Sequence, residues 1–443
     1  MIDYVRAFYY LHSLLDSAYW SRNRLEEHQN KRLRSIIRYA YDYVPFYHKK
    51  LRELGLTPFD IKTKKDLNKI PFIQKNEIRK NLKTIISQEF DVKDLKTLST
   101  SGSTGKPLFL YVNKTESNFR KAKHLRANLS CGQKLRDKWA NITAPHHFGE
   151  VSKIQRMLGF YTPTPVSVFN DLSTQIKIIE KIKPNILDGY SSALLLLAKE
   201  LKKRGLDTIK PRFVLGGSEL INGYSRQFIE KVFNAPFYDQ YSIVELDRIA
   251  WQCPVHQGYH LDADNLIIQF VDKNGDEVSP GERGEIICTS LFNYAMPFIR
   301  YSVGDVGIPS DEDCSCGRKL PLMNMVEGRR DSFLFLPDGR TLTPRTLTVA
   351  MNLFKFYKYI HQFRIIQKKM DLFEFCLELE DNCVEETLIE TDLIHHLKTI
   401  LKIDTDVRFK IRFVDHIPLD PNGKLKAVSS ELKSDISNSI FKI

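Results

Sequence analysis

Between two apolar segments the chain carries Thr100-Ser101-Gly102-Ser103-Thr104-Gly105-Lys106-Pro107, a run whose residue types suit phosphate chemistry. Gly102 and Gly105 allow a backbone to approach an anion closely, while four hydroxyls and successive N–H groups supply donors around it. A P-loop of the GxxxxGK[ST] kind is disfavoured, because Pro107 follows Lys106 where Ser or Thr is required. The alternative is a Ser/Gly-rich surface turn.

A second constellation is Cys253 and His260 in CPVHQGYH with Cys314 and Cys316 in DEDCSCGR. Four soft or borderline ligands in two pairs suit one tetrahedral, structural Zn²⁺ of the Cys₃His type. His256 competes with His260, since Cys-x₂-His is also a reachable spacing, and ordinary reduced thiols are the alternative for the whole set. Seven Cys is an odd number in a chain without an export signal, which argues against a disulfide framework. Cys131, Cys288, Cys376 and Cys383 stand in apolar contexts and read as core residues.

These groups need a sizeable scaffold, and 443 residues at 42% hydrophobic content can build one, with two domains as the expectation. Residues 1 to about 95 read as an α-rich opening. From about 96 to 250, apolar segments such as LFLYV, KWANIT, NILDGY and RFVLGGS alternate with helical patterns such as QIKIIEKI and SRQFIEKVF, which is the pattern of βαβ units and a mainly parallel sheet. NLIIQFVD, GEIICTS and PFIRYSVGD read as strands of a small antiparallel appendage. After GRRDS the pattern restarts, with HQFRIIQ, LFEFCLEL and VRFKIRFV as strands and ETLIETDLIHHLKTILK as an amphipathic helix. The expected fold is therefore α/β with a doubly wound large domain over 1–328, followed by a small α+β domain over 329–443.

The longest apolar stretch, in SSALLLLAKELKK, is too short for a membrane span and reads as a core helix. The N-terminus lacks the form of a signal peptide, so a cytoplasmic protein is expected. Lys plus Arg number 66 against 54 Asp plus Glu, a formal charge of +12 that favours anionic partners such as nucleotides or coenzyme A. The basic residues are spread along the chain without an RNP, zinc-finger or helix-turn-helix pattern, so nucleic acid is not expected as a partner.

TSGSTGKP resembles the phosphate loop of the adenylate-forming superfamily of acyl-CoA synthetases, adenylation domains and luciferases. The rest of the chain is similar to its phenylacetate–CoA ligase branch, including the CapK-like proteins. VPFYHKKLRELGL, IPFIQKNEIRKNL, LGGSEL, DQYSIVEL, CPVHQGYH, GERGEIICTSLFNYAMPFIRYSVGDVG, CSCGRKLPLMNMVEGRRDS and IPLDPNGKLK follow one another in that branch's order. The resemblance implies ATP and Mg²⁺ as cofactors, a small carboxylic acid activated as its acyl-AMP, and CoA as the acceptor.

Carried over residue by residue, the resemblance gives Thr100, Ser101, Gly102, Ser103, Thr104, Gly105 and Lys106 to the phosphates. Gly217, Ser218 and Glu219 fall on the adenine-contacting segment. Tyr241 would stack on adenine, Glu245 would bind Mg²⁺, Asp305 would accept hydrogen bonds from the ribose hydroxyls, and Arg329 would hold the ribose from the other side. Lys424 matches the lysine that reaches the carboxylate and α-phosphate during adenylation, Asp331 the hinge of a mobile lid, and His147, beside His146, the gate between acyl pocket and acceptor tunnel. A satisfied loop histidine is the alternative for His147, a surface salt bridge for Asp305 and a turn lysine for Lys424.

Three departures carry weight. Val244 stands where a hydroxyl residue usually precedes the glutamate, and GRRDS keeps Asp331 but ends on Ser332 in place of a second acid. LPDGRTLTPR replaces the Gly-x-Asn-x-x-Pro segment that lines the pantetheine approach in the CoA ligases. An amine acceptor, AMP transfer to a hydroxyl, and an adenylate-binding protein of weak activity therefore stand beside CoA ligation.

Overall fold

The computed structural model describes all residues except 1, 101–107, 149–150, 152, 330–331, 381–384, 404–405 and 433–443. The chain gathers into two compact units, one of 1–137, 154–161 and 238–326, the other of 138–153, 162–237 and 327–443.

The first unit opens on helices Ile2–Ser17, Arg22–Tyr43 and Pro45–Glu53. Ser21 caps the second by accepting a hydrogen bond from the Arg24 amide. Leu25, Leu33, Ile36, Ile37 and Ala40 recur at helical spacing along it and are all buried, in a core that also takes in Ile267, Ile286, Phe298 and Tyr301. Seven neighbouring strands follow, in the order Leu266–Val271, Gly284–Ser290, Tyr301–Ser310, Leu322–Arg329, Tyr259–Leu261, Asp247–Trp251 and Phe237–Ile243. Antiparallel register sets Ile268 opposite Cys288, Met323 opposite Tyr259 and Tyr241 opposite Ala250. The antiparallel strands outnumber the three segments that stood out in the sequence.

Helix Lys114–Ser130 has no apolar stripe to match, and its buried residues include Glu116, Asn118, Lys123 and Arg126. It starts with a capping box, in which the Asn113 side chain accepts from the Glu116 amide and Glu116 from the Asn113 amide. The second Glu116 oxygen accepts from the Ala295 amide at 2.9 Å, and burial pushes this carboxyl up to about 7. Arg126, fully buried, bonds both Asp262 and Asp264, and Arg248 donates to Asp262 at 3.0 Å. Helix Lys114–Ser130 is thus held by charges satisfied in the interior.

In the second unit, strands Pro163–Ser167, Trp139–Thr143, Ile186–Tyr190 and Phe213–Gly217 lie side by side in that order, all parallel. Helix Leu172–Ile182 crosses from Pro163–Ser167 to Ile186–Tyr190 and helix Ser191–Lys203 from there to Phe213–Gly217, and helix Gly223–Phe233 follows that last strand. The apolar stretch in SSALLLLAKELKK is a core helix, with Leu194, Leu197, Ala198 and Leu201 buried. The C-terminal stretch adds a four-stranded sheet ordered Arg408–Phe413, Leu372–Leu379, Ile360–Lys369 and Val428–Ser430, with helices Pro344–Asn352 and Glu386–Leu401 packed in its own core. The α/β class with a C-terminal α+β part is as expected from the sequence, and no helix among the described residues is long and apolar enough to cross a membrane.

Candidate active site

Parallel strands bring their carboxyl ends to one edge, which is where open α/β sheets bind ligands. Four sequence candidates of the second unit, His147, Gly217, Ser218 and Glu219, lie there. Strand Trp139–Thr143 runs into the turn Pro145–His147, and strand Phe213–Gly217 ends on Gly217 and is followed by Ser218 and Glu219. Between them, strand Ile186–Tyr190 ends on Tyr190, buried and not anticipated. Gly216 is required here, because a Cβ would lie 2.0 Å from the Phe237 ring. Ser218 adopts φ of 69°, an uncommon conformation for a residue with a side chain, and turns the chain so that Glu219 follows the strand end.

Lys424 reaches the same edge from the C-terminal stretch. Its turn is closed by hydrogen bonds from the Gly423 amide to Asp420 O and from the Asp420 amide to Lys424 O, both 2.8 Å. Gly423 has φ of +77° and lies so close to Val168 that a Cβ would meet its Cγ1 at 2.5 Å, so only glycine fits. Glu219 fixes the turn from the other side, accepting the Leu425 amide at 2.8 Å and the Ser192 amide at 2.9 Å. Burial raises the Glu219 pKa, against the pull of those hydrogen bonds and the Lys424 charge. The Lys424 ammonium stands 5.2 Å from the centre of the Tyr190 ring, within cation–π range.

His147 belongs to this edge too. Its ring lies 4.2 Å from that of His146. More than a third of the residue's surface is open, yet the ring is crowded enough that desolvation, followed by the charges of His146 and Lys424, pushes it down to about 4. The shift is toward the neutral imidazole, so His147 carries no charge at physiological pH. Arg329 ends strand Leu322–Arg329 and is exposed. Ser101, Gly102, Ser103, Thr104, Gly105, Lys106 and the hinge candidate Asp331 lie outside the described residues.

The first unit holds the other candidates. Thr100 is buried, and its backbone N–H donates to Leu108 O while its hydroxyl accepts the Leu108 amide, both 3.0 Å, so the strands Lys96–Ser99 and Phe109–Val112 are clamped at the base of the phosphate-loop candidate. The Tyr241 hydroxyl donates to Asp305 at 2.6 Å. The Glu245 carboxylate is 4% exposed, accepts the Tyr301 hydroxyl at 2.9 Å and pairs with Lys75 at 3.1 Å. Arg120 donates to the carbonyls of Val244 and Glu245 at 2.9 Å each, which fixes the turn that presents the carboxylate. Val244, in the place where a hydroxyl residue is expected, packs against the first unit's core. Lys75, Tyr301 and Arg120 had no signal in the sequence; Tyr190 had one, its place at the end of a βα strand.

Cys253, His260, Cys314 and Cys316 come together, each offering a ligand atom within 4.8 Å of the others. His260 is the histidine of this cluster; the His256 ring stacks on Tyr238 at 5.1 Å. Two thiolates on one tetrahedral Zn²⁺ stand about 3.8 Å apart, and the Cys253 and Cys314 sulfurs are 3.7 Å apart. Cys316 Sγ lies 3.3 Å from His260 Nε2. Burial would raise the Cys316 thiol, but hydrogen bonds from the backbone and side chain of Arg318 bring it below its ordinary value, whereas burial raises the Cys253 and Cys314 thiols.

Residues 337–431 match the CapK C-terminal domain family. The chain is 25% identical over 413 residues to the phenylacetate-coenzyme A ligase of Pseudomonas putida, covering 88% of this chain and 91% of that protein. It is 24% identical over 426 residues to Protein CapK of Staphylococcus aureus, covering 93% and 90%. The crystal structure of 2-hydroxyisobutyryl-CoA ligase in the postadenylation state superimposes with a TM-score of 0.78 at 18% identity, covering 96% of this chain and 94% of that one, a likeness of fold. Along nearly its whole length the chain is thus similar to phenylacetate–coenzyme A ligases and to Protein CapK, its residues 337–431 match the CapK C-terminal domain, and its fold is that of an acyl-CoA ligase.

Proposed function

We propose that this chain, an enzyme of the acid–CoA ligase type, uses ATP to convert a small carboxylic acid into its acyl-AMP and passes the acyl group to CoA. The observation that carries this reading is the docked Lys424 turn: a cation held at the carboxyl ends of the parallel strands by Glu219, Gly423 and the Tyr190 ring. In the first step a carboxylate oxygen attacks the α-phosphorus and pyrophosphate leaves; the Lys424 ammonium offsets the charge that builds on the phosphoryl oxygens. In the second, the CoA thiol attacks the acyl carbon and AMP leaves. Neutral His147 gates the acceptor side without adding charge. Asp305 and Tyr241 hold the ribose and adenine, with Arg329 on the ribose and Gly217 and Ser218 on the base, while Thr100 through Lys106 receive the phosphates. Glu245 fits Mg²⁺ in the manner usual for that ion, through one carboxylate with the phosphates supplying the rest; the ion neutralises phosphate charge when bound. Residues 329–443 act as a lid that turns at Asp331 between the two steps.

A panel of carboxylic acids incubated with ATP, Mg²⁺ and CoA tests this reading by mass spectrometry. AMP and acyl-CoA are expected in equal amounts for one class of acid. Acid-dependent AMP without thioester, with an amide formed once amines are supplied, moves the acceptor from CoA to an amine. AMP production that no acid stimulates sinks the proposal.

The four-residue cluster binds one structural Zn²⁺ in this reading. Metal analysis of protein purified without chelator should return about one zinc per chain, and Cys314→Ser should lose the metal and lower the melting temperature. Zinc-free protein of unchanged stability contradicts it. Zinc-finger peptides draw about 10–16 kcal/mol from such a site, whereas a preformed sheet such as this one depends on it far less.

A further inference from the structure

Where helix Ser191–Lys203 meets the C-terminal sheet, a buried cation does no work in the chemistry described above. The Lys199 side chain is 12% exposed and donates to Ile360 O at 2.7 Å and to His361 O at 2.6 Å, the first two residues of strand Ile360–Lys369. Its ammonium is 3.9 Å from Glu380, on the segment that leaves the neighbouring strand. The groups facing it form one cluster. His361 bonds Glu380 at 3.0 Å and lies 3.7 Å from Glu378. Glu378 accepts the Ile417 amide at 2.7 Å and lies 3.5 Å from His416, and Lys203 on Lys199's own helix acts on Glu380. Ile417 begins the segment that continues through Asp420 to Lys424, so the cluster reaches the root of the catalytic turn. Burial pushes Lys199 down to about 8, with Glu380 and Glu378 opposing.

We propose that Lys199 is a positioning residue, a latch that grips the edge of the C-terminal sheet in the pose that brings Lys424 to the strand ends. Only a side chain long enough to leave its helix and place two N–H groups on two consecutive carbonyls fills this role. Rotation of residues 329–443 after adenylation must break both hydrogen bonds, so the latch favours the first step and opposes the second. This inference rests on the acyl-AMP reading for its catalytic consequence, not for its structural one.

Lys199→Met keeps the length and loses the donors, Lys199→Arg keeps donors and charge, and both are tested in the full chain. Hydrogen exchange of peptides containing Leu425, whose amide bonds Glu219, is expected to speed up about tenfold in Lys199→Met and to remain near the parent in Lys199→Arg. With an acid from the panel, Lys199→Met should form acyl-AMP about tenfold more slowly while transferring the acyl group from supplied acyl-AMP at least as fast as the parent. A folded Lys199→Met protein with unchanged exchange at Leu425 overturns the latch, and so does equal loss of both steps. Should the parent form no acyl-AMP with any acid, the exchange result alone decides the latch, and the proposed function fails separately.

Discussion

Replacing Lys424 with alanine is expected to slow acyl-AMP formation by about 10²-fold or more, while acyl transfer from supplied acyl-AMP stays within a few-fold of the parent. One preorganised charge aimed at the transition state supplies roughly 2.7–4 kcal/mol. The turn that carries it is rigid: Gly423 packs against Val168 and Glu219 bonds the next amide along. The substitution removes the ammonium and its contact with Tyr190 without touching those backbone bonds. Rapid-quench measurement of each half-reaction checks the expectation. A folded mutant that loses both steps equally contradicts a lid with two poses, and one that loses neither shows that the catalytic lysine lies elsewhere.

Arg126→Met is expected to cost about 3–5 kcal/mol of stability, because removing one partner of a buried ion pair strands the other. Arg126 reaches Asp264 at 2.5 Å and also bonds Asp262; Arg126 and Asp262 have no exposed side-chain surface and Asp264 almost none. Burial alone would raise the Asp262 pKa, but Arg248, Arg126 and Lys123 hold it below its ordinary 3.8. The sign follows: a depressed carboxylate stabilises the fold above about pH 4, and that contribution is lost as the pH falls through the folded value. Urea titration at pH 7 should show the first unit's transition shifted by the stated amount; a shift below about 1 kcal/mol means that the network is hydrated or that Arg248 and Lys123 take over.

How far these features were legible depends on sequence separation. The βα alternation from KWANIT to RFVLGGS marks strands and helices locally, whereas LFLYV, expected in the same parallel sheet, pairs antiparallel with Lys96–Ser99 in a separate two-stranded sheet; the Cys and His spacing was enough to gather Cys253, His260, Cys314 and Cys316. The separation of His260 from His256 was not legible, since both are reachable by loop geometry and only the strand Tyr259–Leu261 orients one of them. Helix Lys114–Ser130 was opaque for a different reason. Its pattern KTESNFRKAKHLRANLS looks solvated, and the acids that bury Arg126 lie 136 and 138 residues away. Lys75 against Glu245, and Lys199 against His361, were hidden likewise: pairings across that much chain leave no local period to read. The gathering of 138–153, 162–237 and 327–443 into one unit is of the same kind.

The central claim is that the acid is activated by bonding its own oxygen to the α-phosphorus of ATP, and oxygen transfer reads this directly. An acid from the panel, carrying ¹⁸O in both carboxyl positions, is turned over with ATP and the acceptor, and the released nucleotide is weighed by mass spectrometry. The account predicts AMP carrying one ¹⁸O, with unlabelled pyrophosphate and one ¹⁸O retained in the acyl product. Unlabelled AMP, or ADP with labelled phosphate in its place, would contradict it.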